Sequence, residues 1–214
     1  MTKLRINEIF FSLQGESRTV GIPTVFVRLT GCPLRCQYCD TAYAFHQGDY
    51  MTLEEIMTKV QSYSSSHVTV SGGEPLAQRE PCLDLMKQLC DVGYQVSIET
   101  SGAMDIDGVD PRVVRVVDIK TPGSKESDKN LLSNLDHLTE DDQLKFVICD
   151  REDFDWSCGF IEEHGLKDRC ELLFSPSYGQ VSETDLANWI LEARAPVRFQ
   201  FQLHKMLWGD QPGV

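Results

Sequence analysis

Three cysteines fall within eight residues in the run GCPLRCQYCDT, from Gly31 to Thr41: Cys32, Cys36 and Cys39, spaced C-x3-C-x2-C. Thiols this crowded point to a metal centre. A structural zinc site closes with four ligands and usually pairs one C-x2-C with a second, remote pair. No second pair occurs here, and His46 is the nearest histidine that could serve as a fourth ligand. A four-iron cluster is also normally held by four thiolates. Three thiolates on one loop leave one iron open, and the amino group and carboxylate of a methionine-like moiety could chelate it. About thirty residues on, Gly72-Gly73-Glu74-Pro75 ends a β-branched run. Glycine lets a backbone come close to a ligand where a side chain would block it; without the cysteines, a plain turn would be the better reading.

The elements around these residues follow one grammar. PTVFVRLTG (23–31), HVTVSGG (67–73), YQVSIETSG (94–102), RVVRVVDIKTPG (112–123), QLKFVIC (143–149), CELLFSPSYG (170–179) and VRFQFQLHK (197–205) read as strands, most of them closed by glycine or proline. TLEEIMTKVQSY (52–63) reads as a helix with a Thr52/Glu55 capping box and a face of Ile56, Met57 and Val60. Helices are also expected over 81–93, with Leu85, Leu89 and Cys90 on one side, over 151–165, and over 182–194, which starts at Ser182/Asp185. The stretch between the third and fourth strands is too short for a packed crossover helix. The fold class expected is α/β: a mostly parallel sheet of six or seven strands, an incomplete or compressed β/α barrel, in one domain over residues 1–214. In such folds chemistry gathers at the C-terminal ends of the strands. The cysteines, SGGEP, ETSG, KTPGS and SPSYG all fall there.

Composition sets outer limits. A net charge of −13 argues against a nonspecific grip on nucleic acid. No run of about 18 apolar residues suggests a membrane span. The N-terminus lacks the pattern of a signal peptide, so the cytoplasm is the expected compartment. Cys82, Cys90 and Cys149 lie in apolar patterns and read as small core residues. His67, His137 and His164 read as solvated or capping, and His204, at the end of the last strand, is the best site candidate among the histidines.

The cysteine motif, with an aromatic residue (Tyr38) before its last cysteine and with GGEP following, resembles the radical S-adenosylmethionine (SAM) superfamily. NEIFFSLQGES…GIPTVFVRLTGCPLRCQYCDT, together with SGGEP, ETSG and QLHK, is similar to the 7-carboxy-7-deazaguanine synthase family across nearly the whole chain. The resemblance implies a 4Fe–4S cluster on Cys32, Cys36 and Cys39, SAM on its open iron, and Mg2+ at Thr41. It implies substrate contacts from Leu13, Gln14, Gly15, Glu16, Arg28 and Ser71, with Arg28 taking a carboxylate. It implies SAM contacts from Tyr38, Cys39, Asp40, Gly73, Thr121, Pro122, Gly123, Ser175, Pro176, Ser177 and Tyr178. Ser17 stands where the family usually has glycine. The tail MLWGDQPGV is expected near the substrate.

The reaction implied is ring contraction of 6-carboxy-5,6,7,8-tetrahydropterin to 7-carboxy-7-deazaguanine with loss of ammonia. It would be started by an electron from a donor such as flavodoxin or ferredoxin and carried out by a homodimer, without nucleic acid or membrane partners. A glycyl-radical-enzyme activase would share the cysteines but has no use for LQGE or Thr41. A noncatalytic iron–sulfur electron carrier has no use for GGEP.

Overall fold

In a computed structural model describing residues 2–209, 211 and 213, nine strands form one sheet. They are β1 (Lys3–Leu13), β2 (Pro23–Leu29), β3 (Asp49–Thr52), β4 (His67–Gly72), β5 (Gln95–Thr100), β6 (Val114–Ile119), β7 (Gln143–Ile148), β8 (Glu171–Pro176) and β9 (Arg198–Phe199). Their order is β3-β1-β2-β4-β5-β6-β7-β8-β9. From β2 to β9 every pairing is parallel, while β1 runs antiparallel to both β2 and β3. The seven parallel strands are the seven read from the sequence. The antiparallel pair β1 and β3 was not foreseen. β1 carries Lys3, Arg5 and Glu8 among its apolar residues, and β3 is four residues long and runs straight into a helix.

The helices are α1 (Leu53–Gln61), α2 (Arg79–Asp91), α3 (Arg151–Glu163), α4 (Glu183–Ala193) and α5 (Leu203–Trp208). Helix α1 starts at the expected capping box: Glu55 N–H donates to Thr52 Oγ1 at 3.2 Å and Thr52 N–H to Glu55 Oε2 at 2.7 Å. It buries Leu53, Ile56 and Val60, and α2 buries Cys82, Leu85, Met86, Leu89 and Cys90. These faces cover Val25, Val27, Val68, Val70, Val96 and Ile98 of the sheet, so apolar burial drives the assembly.

The connections from β5 to β6 and from β6 to β7 depart from strand–helix alternation, the second holding only short 3-10 turns. Residues 101–113 between β5 and β6 contain no helix. Buried Asn134 holds this crossover: its Nδ2 donates to the carbonyls of Gly102 (3.2 Å) and Met104 (2.9 Å), and its Oδ1 accepts from Ile106 N–H (3.1 Å). The strand expected over 197–205 pairs with β8 only at Arg198 and Phe199. Beyond Phe199 the side chains of Gln200 and Gln202 reach the 16–17 region, at Ser17 O (2.8 Å) and Glu16 Oε1 (2.7 Å), and the backbone turns into α5. His204 is therefore on a helix.

Candidate active site

The cysteine loop leaves the end of β2 and is fixed from two sides. Glu74 N–H donates to Gly31 O (2.7 Å), and Gln37 N–H donates to Ser124 O (3.2 Å) in the turn after β6. The glycine of GGEP is needed for this packing. A Cβ on Gly73 would overlap the Gly31 carbonyl and stand 2.8 Å from Cys32 Cβ. Glu74 is wholly buried and accepts from Leu76 N–H (2.9 Å), Thr100 Oγ1 (2.9 Å) and Ser101 N–H (2.7 Å). SGGEP and ETSG are thus one structural unit, welding the ends of β4 and β5 beneath the loop.

The C-terminal edge of the sheet opens into a cavity of about 640 Å³, within the range of small-molecule sites. Of the residues singled out in the sequence, Leu13, Gln14, Gly15, Glu16, Arg28, Cys32, Cys36, Tyr38, Cys39, Asp40, Thr41, Ser71, Gly73, Ser177 and Tyr178 line it. So do His204 and tail residues Gly209, Gln211 and Gly213. Five do not reach its wall. The Thr121 hydroxyl lies 2.9 Å from Asp153 Oδ2, and Gly123 N–H donates to Asp153 Oδ1 (2.8 Å), so Asp153 holds the Thr121-Pro122-Gly123 turn away from the cavity. Ser175 is buried within β8. Pro176 faces a small separate groove beside Phe201 and Met206.

The QGE loop is stitched to the C-terminal segment. Leu203 N–H donates to Gly15 O (2.9 Å), and the His204 imidazole occupies the space a Cβ on Gly15 would need. Burial lowers the pKa of His204, against the opposing pull of Glu16. Gln14 turns inward: its Nε2 lies 3.1 Å from Thr69 Oγ1 and 3.2 Å from Glu99 Oε1.

Strands β5, β6 and β7, with the residue that follows β6, supply four charged groups that had no assigned role in the sequence: Glu99, Asp118, Lys120 and Lys145, all lining the cavity. Their signal was a charge inside an otherwise apolar parallel strand, which needs a partner or a site. Lys145 is ion-paired with Glu16. Burial opposes charge on both members, yet their mutual attraction prevails, holding Glu16 below and Lys145 above the usual range. Glu99 accepts from Ser71 Oγ (3.1 Å); burial first, then the neighbouring Glu16 charge, raises its pKa. Lys120 and Asp118 pair at 2.9 Å. Asp118 Oδ1 and the Tyr38 hydroxyl are buried with no hydrogen-bond partner among the described residues. Such orphaned atoms beside a cavity are what a polar ligand would satisfy.

The residues present fit an iron–sulfur cluster. The three cysteines are free and half-buried, and Leu34 N–H points at Cys32 Sγ (3.4 Å). Among the described residues no three His, Cys, Asp or Glu side chains converge on one ion; a cluster asks each thiolate to bind its own iron. Burial pushes the Cys36 thiol up to about 11, so loading must displace a proton. Thr41 Oγ1, 3.8 Å from Cys39 Sγ, is one hard oxygen donor beside this loop, fewer than magnesium requires without oxygens from a bound molecule.

Comparison with known proteins adds a lineage. The radical SAM superfamily profile matches residues 26–158. The chain is 43% identical over 215 residues to the 7-carboxy-7-deazaguanine synthase of Chlorobaculum tepidum, covering 99% of this chain and 97% of that one. It is 42% identical to the enzyme of the same name from Koribacter versatilis, over 96% and 97% of the two chains. The fold superimposes on the crystal structure of QueE from Escherichia coli with a TM-score of 0.77, at 24% identity over 94% of each chain. No helix among the described residues is long and apolar enough to cross a membrane.

Proposed function

The chain belongs to the radical SAM superfamily and, within it, to the 7-carboxy-7-deazaguanine synthases, and from that membership we propose that it converts 6-carboxy-5,6,7,8-tetrahydropterin to 7-carboxy-7-deazaguanine with loss of ammonia, in the supply of 7-deazapurines such as the queuosine precursor. The observation that carries this reading is one cavity shared by the cysteine loop, Arg28 and the Glu16–Glu99 pair. A 4Fe–4S cluster on Cys32, Cys36 and Cys39, with SAM on its open iron, would supply the hydrogen-atom abstraction that begins the ring contraction. The chain's own residues then bind and orient. Arg28 offers a planar cation to the substrate carboxylate. Glu16 and Glu99 face the donor edge of the pterin, Lys145 keeps Glu16 ionised, and Gln14 and Ser71 hold Glu99 in place. Asp118 Oδ1 and the Tyr38 hydroxyl offer an acceptor and a donor to SAM. The segment from Gln200 to His204 walls off water, so positioning is the protein's main contribution.

Thr41 would complete its magnesium with substrate oxygens, which makes metal binding substrate-dependent. The reductant in this reading is a flavodoxin or ferredoxin, and the enzyme works as a cytoplasmic homodimer. The deciding experiment is an anaerobic incubation of reconstituted protein with SAM, dithionite and carboxytetrahydropterin, read by product mass. A mass matching 7-carboxy-7-deazaguanine is expected. SAM cleavage with the pterin untouched would favour an activase, and failure to cleave SAM an electron carrier.

A further inference from the structure

Arg28 is held by a device of its own. In β1 the register slips between Ile6 and Glu8: Ile6 pairs with Leu29 and Glu8 with Arg28, so Asn7 is an extra residue. A bulge of this kind re-aims the side chains that follow it. Glu8 becomes the direct cross-strand partner of Arg28, and its Oε1 accepts from both Arg28 Nε (2.8 Å) and the Tyr43 hydroxyl (2.9 Å). Phe10 and Tyr43 place their rings 5.6 and 6.0 Å from the guanidinium carbon, and Phe10 is itself stacked on Phe26 at 5.0 Å. Phe10, Arg28 and Tyr43 line the cavity, whereas Glu8 does not. Glu8 stands beside the arginine on the neighbouring strand, partly exposed, with its Oε2 near the tail residue Gly213. Its contact engages Nε through one oxygen, not the two-nitrogen terminal edge that a carboxylate takes in bidentate fashion. Burial raises the Tyr43 hydroxyl to about 12, so it remains a donor at neutral pH.

We propose that Glu8 and Tyr43 are positioning residues that fix the Arg28 guanidinium with its terminal edge toward the cavity, and so set the preference of the site for a carboxylate-bearing substrate. This deepens the reading above, because it rests on Arg28 receiving that carboxylate. An arginine left to its own rotamers would meet the same anion in many poses. The bulge, the shared oxygen and the two rings reduce those poses.

The test is a ratio of affinities. Anaerobic binding to reconstituted, SAM-loaded protein is measured for 6-carboxy-5,6,7,8-tetrahydropterin and for tetrahydropterin without the carboxylate. Arg28→Ala should bring the ratio close to one. Glu8→Ala should lower it about tenfold, the scale of a lost charged hydrogen bond, and Tyr43→Phe about threefold. Glu8→Gln should stay near wild type, because its amide oxygen still accepts from both donors. Iron content should be unchanged in all four, so that a lost ratio reports on the pterin and not on the cluster. A collapsed ratio in Arg28→Ala beside wild-type ratios in Glu8→Ala and Tyr43→Phe would overturn the positioning role and leave the Arg28 reading intact. A higher ratio in Glu8→Ala would also overturn it, showing Glu8 to be a competing counter-ion. A wild-type ratio in Arg28→Ala would remove the premise itself. Should Glu8→Ala fail to load iron, Tyr43→Phe carries the test, and an unchanged ratio there overturns the proposal.

Discussion

At the N-terminal ends of β6 and β7, Asp142 accepts five hydrogen bonds: three from Arg115 (N 2.9, Nε 3.0 and Nη2 2.6 Å) and two from Thr139 (N 2.8 and Oγ1 2.9 Å). Further along the same strands, Asp118 leaves one oxygen without a partner among the described residues and Lys145 is drawn sideways to a carboxylate from another loop. Both regions are buried and ionic. The first closes on itself and fixes strand register; the second is incomplete and faces a cavity. The difference separates charge that holds a fold from charge that waits for a ligand.

Substitutions at the open end should cost function and spare the fold, and those at the closed end should do the reverse. The largest effect is expected from Cys36→Ala. Iron should fall from about four per chain to a trace and SAM cleavage should vanish, while the melting of the apoprotein stays the same. Cys82→Ala, in the α2 core, should keep both iron and cleavage; a fully active Cys36→Ala protein would erase the contrast. Next, Asp142→Ala strands a buried guanidinium and should lower unfolding free energy by about 3–5 kcal/mol. Denaturant titration would read this, while KM per folded molecule should not change. A shift in KM would mean that the closed end reaches the site.

Glu99→Gln should move the two properties in opposite directions. The folded pKa of Glu99 lies above its unfolded value, so its contribution is full at low pH and is lost as pH rises through the folded pKa. The amide removes that loss. Melting temperature should rise at neutral pH, by the equivalent of about 1 kcal/mol, and fall less as pH rises, while pterin affinity drops. A variant that melts lower at neutral pH would place Glu99 with the closed networks. The smallest effect is expected at Ser17, whose φ of +67° is left-handed. Glycine relieves about 1–2 kcal/mol of strain but costs roughly 0.5–1 kcal/mol in chain entropy. Ser17→Gly should therefore gain about 0.5 kcal/mol in thermal or denaturant melts with unchanged kinetics.

The seven parallel strands, the Thr52/Glu55 cap and the core cysteines were legible because each has a local signature of periodicity, spacing or composition. The cysteine loop and GGEP were legible as motifs, but the role of Glu74 as a weld between β4 and β5 was not, since its donors Thr100 and Ser101 lie on another strand. For the same reason Lys145 escaped notice: its partner Glu16 is 129 positions away. β1 was hidden by its charges, which make sense only once the Asn7 bulge turns Glu8 onto Arg28. The short reach of β9 was decided by side chains of Gln200 and Gln202 seeking partners near the N-terminus, which strand periodicity cannot register.

The bond between Gln202 and Glu16 spans 186 positions, and this has a consequence for synthesis. A contact of that span closes late, because chain entropy is lost before the contact gives anything back. At about 5–20 residues per second, roughly ten seconds or more separate the emergence of the QGE loop from that of its partner segment. During that interval the nascent chain can pair β1 through β8, yet its cavity lacks the wall formed by Gln202 and His204, and the buried Glu16–Lys145 pair is open to water. The cavity is therefore complete only once Gln202 and His204 have emerged and closed on the QGE loop.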